Sequence, residues 1–99
     1  MKEYALYNSD DGMIVIEVDA RQCTFCKTAF IYKSDNLYHL VDKDTGMAIA
    51  HSKLLKDLEY AYICKKKQYD SFRTTDAYKI KVERFEKLKL VANYGKGQK

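Results

Sequence analysis

Cys23-Thr24-Phe25-Cys26 carries two thiols at the spacing with which zinc knuckles hold one ion, and Cys64, His39 or His51 would complete a tetrahedral set. The remaining candidates come singly, whereas a structural zinc site draws on a second close pair. Lys27 also stands where a knuckle often turns on glycine. Small buried or half-buried thiols are therefore expected, with Cys23, Cys26, Cys64 and His51 as the zinc set to test. A thioredoxin-like dithiol needs its pair at a helix N-terminus after a buried strand, and the order of elements here is different. Asp42-Lys43-Asp44-Thr45-Gly46 begins like a calcium loop, but its glycine comes one position early. Lys53 stands where a bidentate carboxylate is required, so a hairpin turn is expected instead. His39 and His51 flank that hairpin and could approach each other or an acid. No serine elbow, phosphate-cradling glycine loop or His-Glu-x-x-His segment accompanies them. The plainer expectation is a strand residue with one packed ring face for His39 and a polar residue leading into a helix for His51. Neither enzymatic activity nor a cofactor is expected.

The remaining grouping is YAYICKKKQYDSFR, residues 60–73, where three consecutive lysines lie among four aromatic rings. On a helix over residues 53–67, Lys56, Glu59, Lys66 and Lys67 fall away from the leucine face, together with Tyr60 and Ile63. Aromatic bodies mixed with cations suit a protein interface. Lysine also meets phosphate, and tyrosine stacks on an unpaired base. The expected partner-binding set is Tyr60, Ile63, Lys65, Lys66, Lys67, Tyr69, Phe72 and Arg73, with Lys79, Arg84 and the lysine-rich C-terminus as an extension. The competing reading is a solvated helix end whose tyrosines cover sheet edges. Arginine, the residue suited to bidentate reading of guanine or phosphate, occurs only three times, which argues against sequence-specific DNA reading.

These side chains need elements to hold them. Residues 2–7 read as a strand ended by the turn chemistry of Asn8 to Gly12, and Ile14, Ile16, Val18 and Ala20 then alternate with Glu17 and Asp19. Residues 20–25 read as a bend, with a short helix capped by Asp19 as the alternative. Residues 27–33, the segment LYHLVD and the segment MAIAH follow as three strands on two tight turns, Ser34 to Asn36 and Asp42 to Gly46. Ser52 is the expected N-cap of a helix whose buried face carries Leu54, Leu55, Leu58, Ala61 and Tyr62, with Lys65 to Lys67 in its last turn. Residues 69–74 connect. Thr75 or Asp76 starts a second helix to about Ala92, although Lys81 and Lys89 fall inside its apolar arc and Tyr78, Ile80 and Val82 also alternate like a strand. The absence of turn residues from 77 to 92 decides for helix. The expected architecture is α+β: an antiparallel sheet of about five strands followed by two helices packed on one face. Residues 1–94 form the single domain and residues 95–99 a basic flexible tail.

Ninety-nine residues with 46% hydrophobic and 32% charged content suit one globular domain. No apolar run approaches the ~20 residues of a membrane helix, no secretory leader is recognisable, and three cysteines suggest no disulfide framework. A cytoplasmic protein without membrane contact is expected. Charge is divided unevenly: residues 1–50 hold 5 basic and 8 acidic side chains, and residues 51–99 hold 13 and 6. That polarity steers association with an anionic partner. Proline and tryptophan are absent while tyrosine occurs nine times. In this usage the chain resembles the small accessory proteins of mobile elements, anti-CRISPR proteins among them. The resemblance implies a phage or mobile-element inhibitor that docks on a host nucleic-acid machine. The expected partner is an acidic protein surface or nucleoprotein complex; a small nucleic-acid-binding regulator and a zinc-stabilised module are the alternatives.

Overall fold

The computed structural model describes residues 1–9 and 12–97, with side chains described for residues 1–7 and 12–91. The chain is α+β, with antiparallel strands followed by two helices as expected. Among the described residues six strands divide into two sheets. Strands β1 (Lys2–Ser9) and β2 (Gly12–Asp19) form a two-stranded ribbon, and β3 (Arg21–Gln22), β4 (Ala29–Ser34), β5 (Leu37–Asp42) and β6 (Ala48–Ser52) form a four-stranded sheet in chain order. Helices α1 (Leu55–Phe72) and α2 (Asp76–Gly97) follow. Ala20 lies between the two sheets, its N–H still donated to the Met1 carbonyl at 2.7 Å.

The larger sheet is covered on both sides, which is why β4 begins with three consecutive buried residues rather than alternating. Ile31, Leu40 and Ala50 point to one face, where they meet Cys23, Leu58 and Tyr62. Phe30 and Val41 point to the other, where Ala5 and Val18 of the ribbon close over them. Helix α1 lies along β6 and β5, whereas α2 reaches β2 of the ribbon. Between β4 and β5 the turn residues Asp35 and Asn36 both have positive φ, 54° and 65°. Two left-handed central residues define the hairpin turn whose twist matches its strands, and Asp and Asn tolerate that conformation better than most side chains.

Helix ends depart from expectation. Ser52 is not the N-cap; Leu54 occupies that position without a side-chain cap, while Ser52 Oγ accepts the Leu54 N–H at 3.3 Å. Lys65, Lys66 and Lys67 are not in the last turn, because α1 continues to Phe72. Nothing between Lys65 and Phe72 breaks a helix, and Tyr69 prolongs the stripe begun by Leu58 and Tyr62 at seven residues' remove. Thr75 does cap α2: its Oγ1 accepts the Tyr78 N–H at 3.2 Å. The segment after Ala77 is helical and runs on through Gly95 to Gly97, where a tail was expected; residues 98–99 lie outside the described residues. Lys89 sits within the apolar arc by laying its stem beside Phe85, with Nζ 4.7 Å from the ring centre and 3.0 Å from Glu86 Oε1. No helix among the described residues is long and apolar enough to cross a membrane.

Gly46 joins the parts. Its carbonyl accepts the Leu6 N–H at 2.9 Å, which ties the ribbon to the β5–β6 turn, and its N–H closes that turn on the Asp42 carbonyl at 2.8 Å. Its φ is +69°, and a Cβ placed there would collide with the ring of Phe85, a fully buried anchor of α2. A left-handed alanine alone costs about 1–2 kcal/mol. Gly46→Ala is expected to lose more than that in urea unfolding, because Phe85 must move. The double variant Gly46→Ala/Phe85→Leu should lose less than the sum of the two single losses.

Candidate functional site

The turn that ends β5 buries a carboxylate. Asp42 is 1% exposed, and both its oxygens accept hydrogen bonds, from its own turn and from both helices. Oδ1 accepts the Asp44 N–H at 2.9 Å, which shapes the turn. Oδ2 accepts the Tyr69 hydroxyl, from the end of α1, and the Tyr78 hydroxyl, from the start of α2, at 2.9 Å. Thr45, also buried, places its hydroxyl 3.4 Å from the Tyr69 oxygen and accepts the Met47 N–H at 3.2 Å. Burial and the bond to Asp42 push the Tyr78 phenol up to about 12 and the Tyr69 phenol well above its usual range. Phe72 packs edge-on against both tyrosines, with ring centres 5.7 and 5.5 Å away. Arg73 closes the cluster, its guanidinium 5.7 Å from the Tyr78 ring centre, 3.2 Å from Thr28 Oγ1 and 3.9 Å from Asp44 Oδ2.

The residues expected to bind a partner are thereby separated. Tyr69, Phe72 and Arg73 hold the α1–α2 corner to the sheet and present only part of their surface. With Met47, Gln68 and Lys65, Tyr69 and Phe72 line an open groove of about 290 Å³ between α1 and β6. Tyr60 and Ile63 remain on the outside, 72% and 58% exposed. They share the outer face of α1 with Lys56 and Lys67, at spacings of four, seven and eleven residues from Lys56. The lysine triplet is divided: Lys67 joins that outer face, Lys66 pairs with Asp70 at 3.4 Å, and Lys65 overlooks the groove.

The proposed zinc set does not assemble. Cys23 is buried against Ile31, Leu40 and Leu58, with its thiol pushed up by burial although backbone N–H groups of Phe25 and Cys26 point at it. Cys26 is half-buried, near Thr28 Oγ1 at 3.5 Å, while Cys64 is exposed on α1. Among the described residues no group of three or more His, Cys, Asp or Glu side chains could hold a metal ion. The histidines do meet. They stand directly opposite on β5 and β6, with their Nδ1 atoms 2.7 Å apart. Burial, then the nearness of His39, holds the His51 imidazole below its ordinary value. His39 stacks on Tyr32 with ring centres 4.8 Å apart, which is the packed ring face expected of it.

Sequence reasoning missed Asp42 and Tyr78 as the centre of this region. Their bond spans 36 residues and has no local signature, and Asp42 sits in a segment that reads as exposed turn. No family model, curated protein or solved structure matches the chain.

Removing the shared acceptor strands the buried Tyr78 hydroxyl, worth about 1–3 kcal/mol when unpaired, and leaves the Tyr69 hydroxyl only its long contact to Thr45. Asp42→Ala is expected to lose about 3 kcal/mol or more in urea unfolding, and Asp42→Asn less, since its amide oxygen still accepts. The raised phenols also set an alkaline limit. Each ionises later in the folded chain than in the unfolded one, so their contribution is complete below the ordinary tyrosine value of 10.0 and is lost as the pH rises through the folded values. The urea midpoint should fall steeply above about pH 10, and Tyr69→Phe should flatten that fall while lowering the neutral-pH midpoint.

Proposed function

We propose that the chain is a small non-enzymatic binding protein that docks on an acidic protein surface through the outer face of α1. The observation that carries this is the exposure of Tyr60 and Ile63, two large apolar side chains flanked on the same face by Lys56 and Lys67. Aromatic anchors ringed by charge concentrate binding energy, and the lysines supply steering and complementarity to acidic side chains. Lys65 and Lys66 add to the local positive field. Tyr69, Phe72 and Arg73 serve by fixing the angle at which α1 is presented. The compositional resemblance to mobile-element accessory proteins gives the docking a concrete form: steric occlusion of a host nucleic-acid machine.

The apolar centre of the face, Tyr60 with Ile63, favours a protein surface over a phosphate backbone as the partner. Affinity capture from the native host, with and without nuclease, separates the two. Nuclease-resistant capture of an acidic protein is expected, with Tyr60→Ala/Ile63→Asp weakening the purified pair about 30-fold or more. Folding should be nearly unchanged, since exposed substitutions usually stay within ~0.5 kcal/mol. Equal binding by the variant would overturn the assignment of this face. Loss of capture on nuclease treatment, with log affinity falling steeply against log salt, would replace the protein partner by nucleic acid.

A further inference from the structure

Between the β1–β2 ribbon and the β4–β6 face lies a cavity of about 330 Å³, and its lining is chemically selective. His39 and His51 enter it side by side. Of the three methionines in the chain, Met13 and Met47 both line it, and no carboxylate does.

The tautomer of His39 follows from its neighbours. Its Nε2 is 3.3 Å from the Ser34 carbonyl oxygen, which can only accept, so Nε2 carries the proton. In the neutral ring Nδ1 is then a lone pair aimed at His51, and His51 donates its own Nδ1–H across the 2.7 Å contact. A ring whose far N–H is fixed on a backbone carbonyl, and whose face is stacked on Tyr32, has the orientation by which proteins hold a metal-ligating imidazole. Cross-strand pairing supplies the second imidazole from a neighbouring backbone position rather than a mobile loop.

Hard cations want oxygen, which this lining does not offer as carboxylate. Imidazole with thioether is a donor set that suits monovalent copper. We propose that this cavity is a copper(I) site, with Nδ1 of His39 and Nδ1 of His51 as ligands and the sulfurs of Met13 and Met47 completing the set. On binding, His51 moves its proton from Nδ1 to Nε2 through solvent, so the ion enters without net proton release and without a change of oxidation state. Two nitrogens each about 2.0 Å from one ion stand about 3.3 Å apart at a tetrahedral angle, so the rings must part by roughly half an ångström and each turn its lone pair about 35° off the line between the nitrogens.

Thiols compete for copper(I), so the titration uses the full chain with Cys23→Ala, Cys26→Ala and Cys64→Ala, kept anaerobic with ascorbate and a chromogenic chelator as competitor. One equivalent bound is expected. His51→Gln should weaken it about 1,000-fold, beyond the ~10–100-fold usual for a lost supporting partner. Met13→Leu/Met47→Leu should weaken copper(I) while leaving any zinc(II) binding unaltered. No binding in the thiol-free chain, or unchanged affinity in His51→Gln, overturns the site. Equal copper(I) affinity after both methionine changes overturns the thioether assignment. If the thiol-free chain does not fold, the wild-type chain is followed by NMR. After the thiols saturate, the next equivalent should shift the ring signals of His39 and His51 and the methyl signals of Met13 and Met47, and unmoved signals overturn the proposal.

Discussion

One oxygen of Asp42 accepts from both helices, and the arrangement of α1 and α2 on the sheets depends on it. Burying a carboxylate is costly unless its lone pairs are occupied, and here the donors come from its own turn, from the end of α1 and from the start of α2. That requirement is stricter than apolar packing. A greasy corner tolerates sliding, whereas two phenols meeting one atom fix both helix ends at once. The rings that satisfy Asp42 also pack on each other and on Phe72, so the polar cluster and the apolar contact at the corner are the same residues.

The sheet-forming half was largely legible because its signals are local. Alternation placed β2, turn chemistry set off β1 and β5, Asp35-Asn36 supplied two side chains that accept positive φ, and Gly46 marked the position at the next turn where a Cβ would meet Phe85. The facing of His39 and His51 follows from the register of that hairpin. What local pattern could not reveal is which side of a strand meets which layer: β4 and β5 bury residues on both faces, and the ribbon's place over one of those faces is decided by packing.

The basic, ring-rich stretch was harder to read for the opposite reason. Tyr62 is buried in the core as its spacing predicts. Tyr60, Tyr69 and Phe72 look equivalent in sequence, yet Tyr69 answers a carboxylate 27 positions earlier, Phe72 packs on its ring, and Tyr60 faces water. Extending α1 by five residues beyond Lys67 explains the sorting, since a continuous helical stripe then carries Leu58, Tyr62 and Tyr69 inward together. The lysine triplet, spread around the helix by the same geometry, is three different surfaces rather than one.

The span between Asp42 and its two phenols, 27 and 36 residues, also orders events in time. Contacts that close long loops form late, after nearby strands have paired. During synthesis the acceptor is made well before either donor, so the nascent sheet must hold that charge in water until the second helix has been translated through Tyr78. A chain interrupted before that point would keep a strand end with at most one of its two phenols, and docking of the second helix would be the step that completes the molecule.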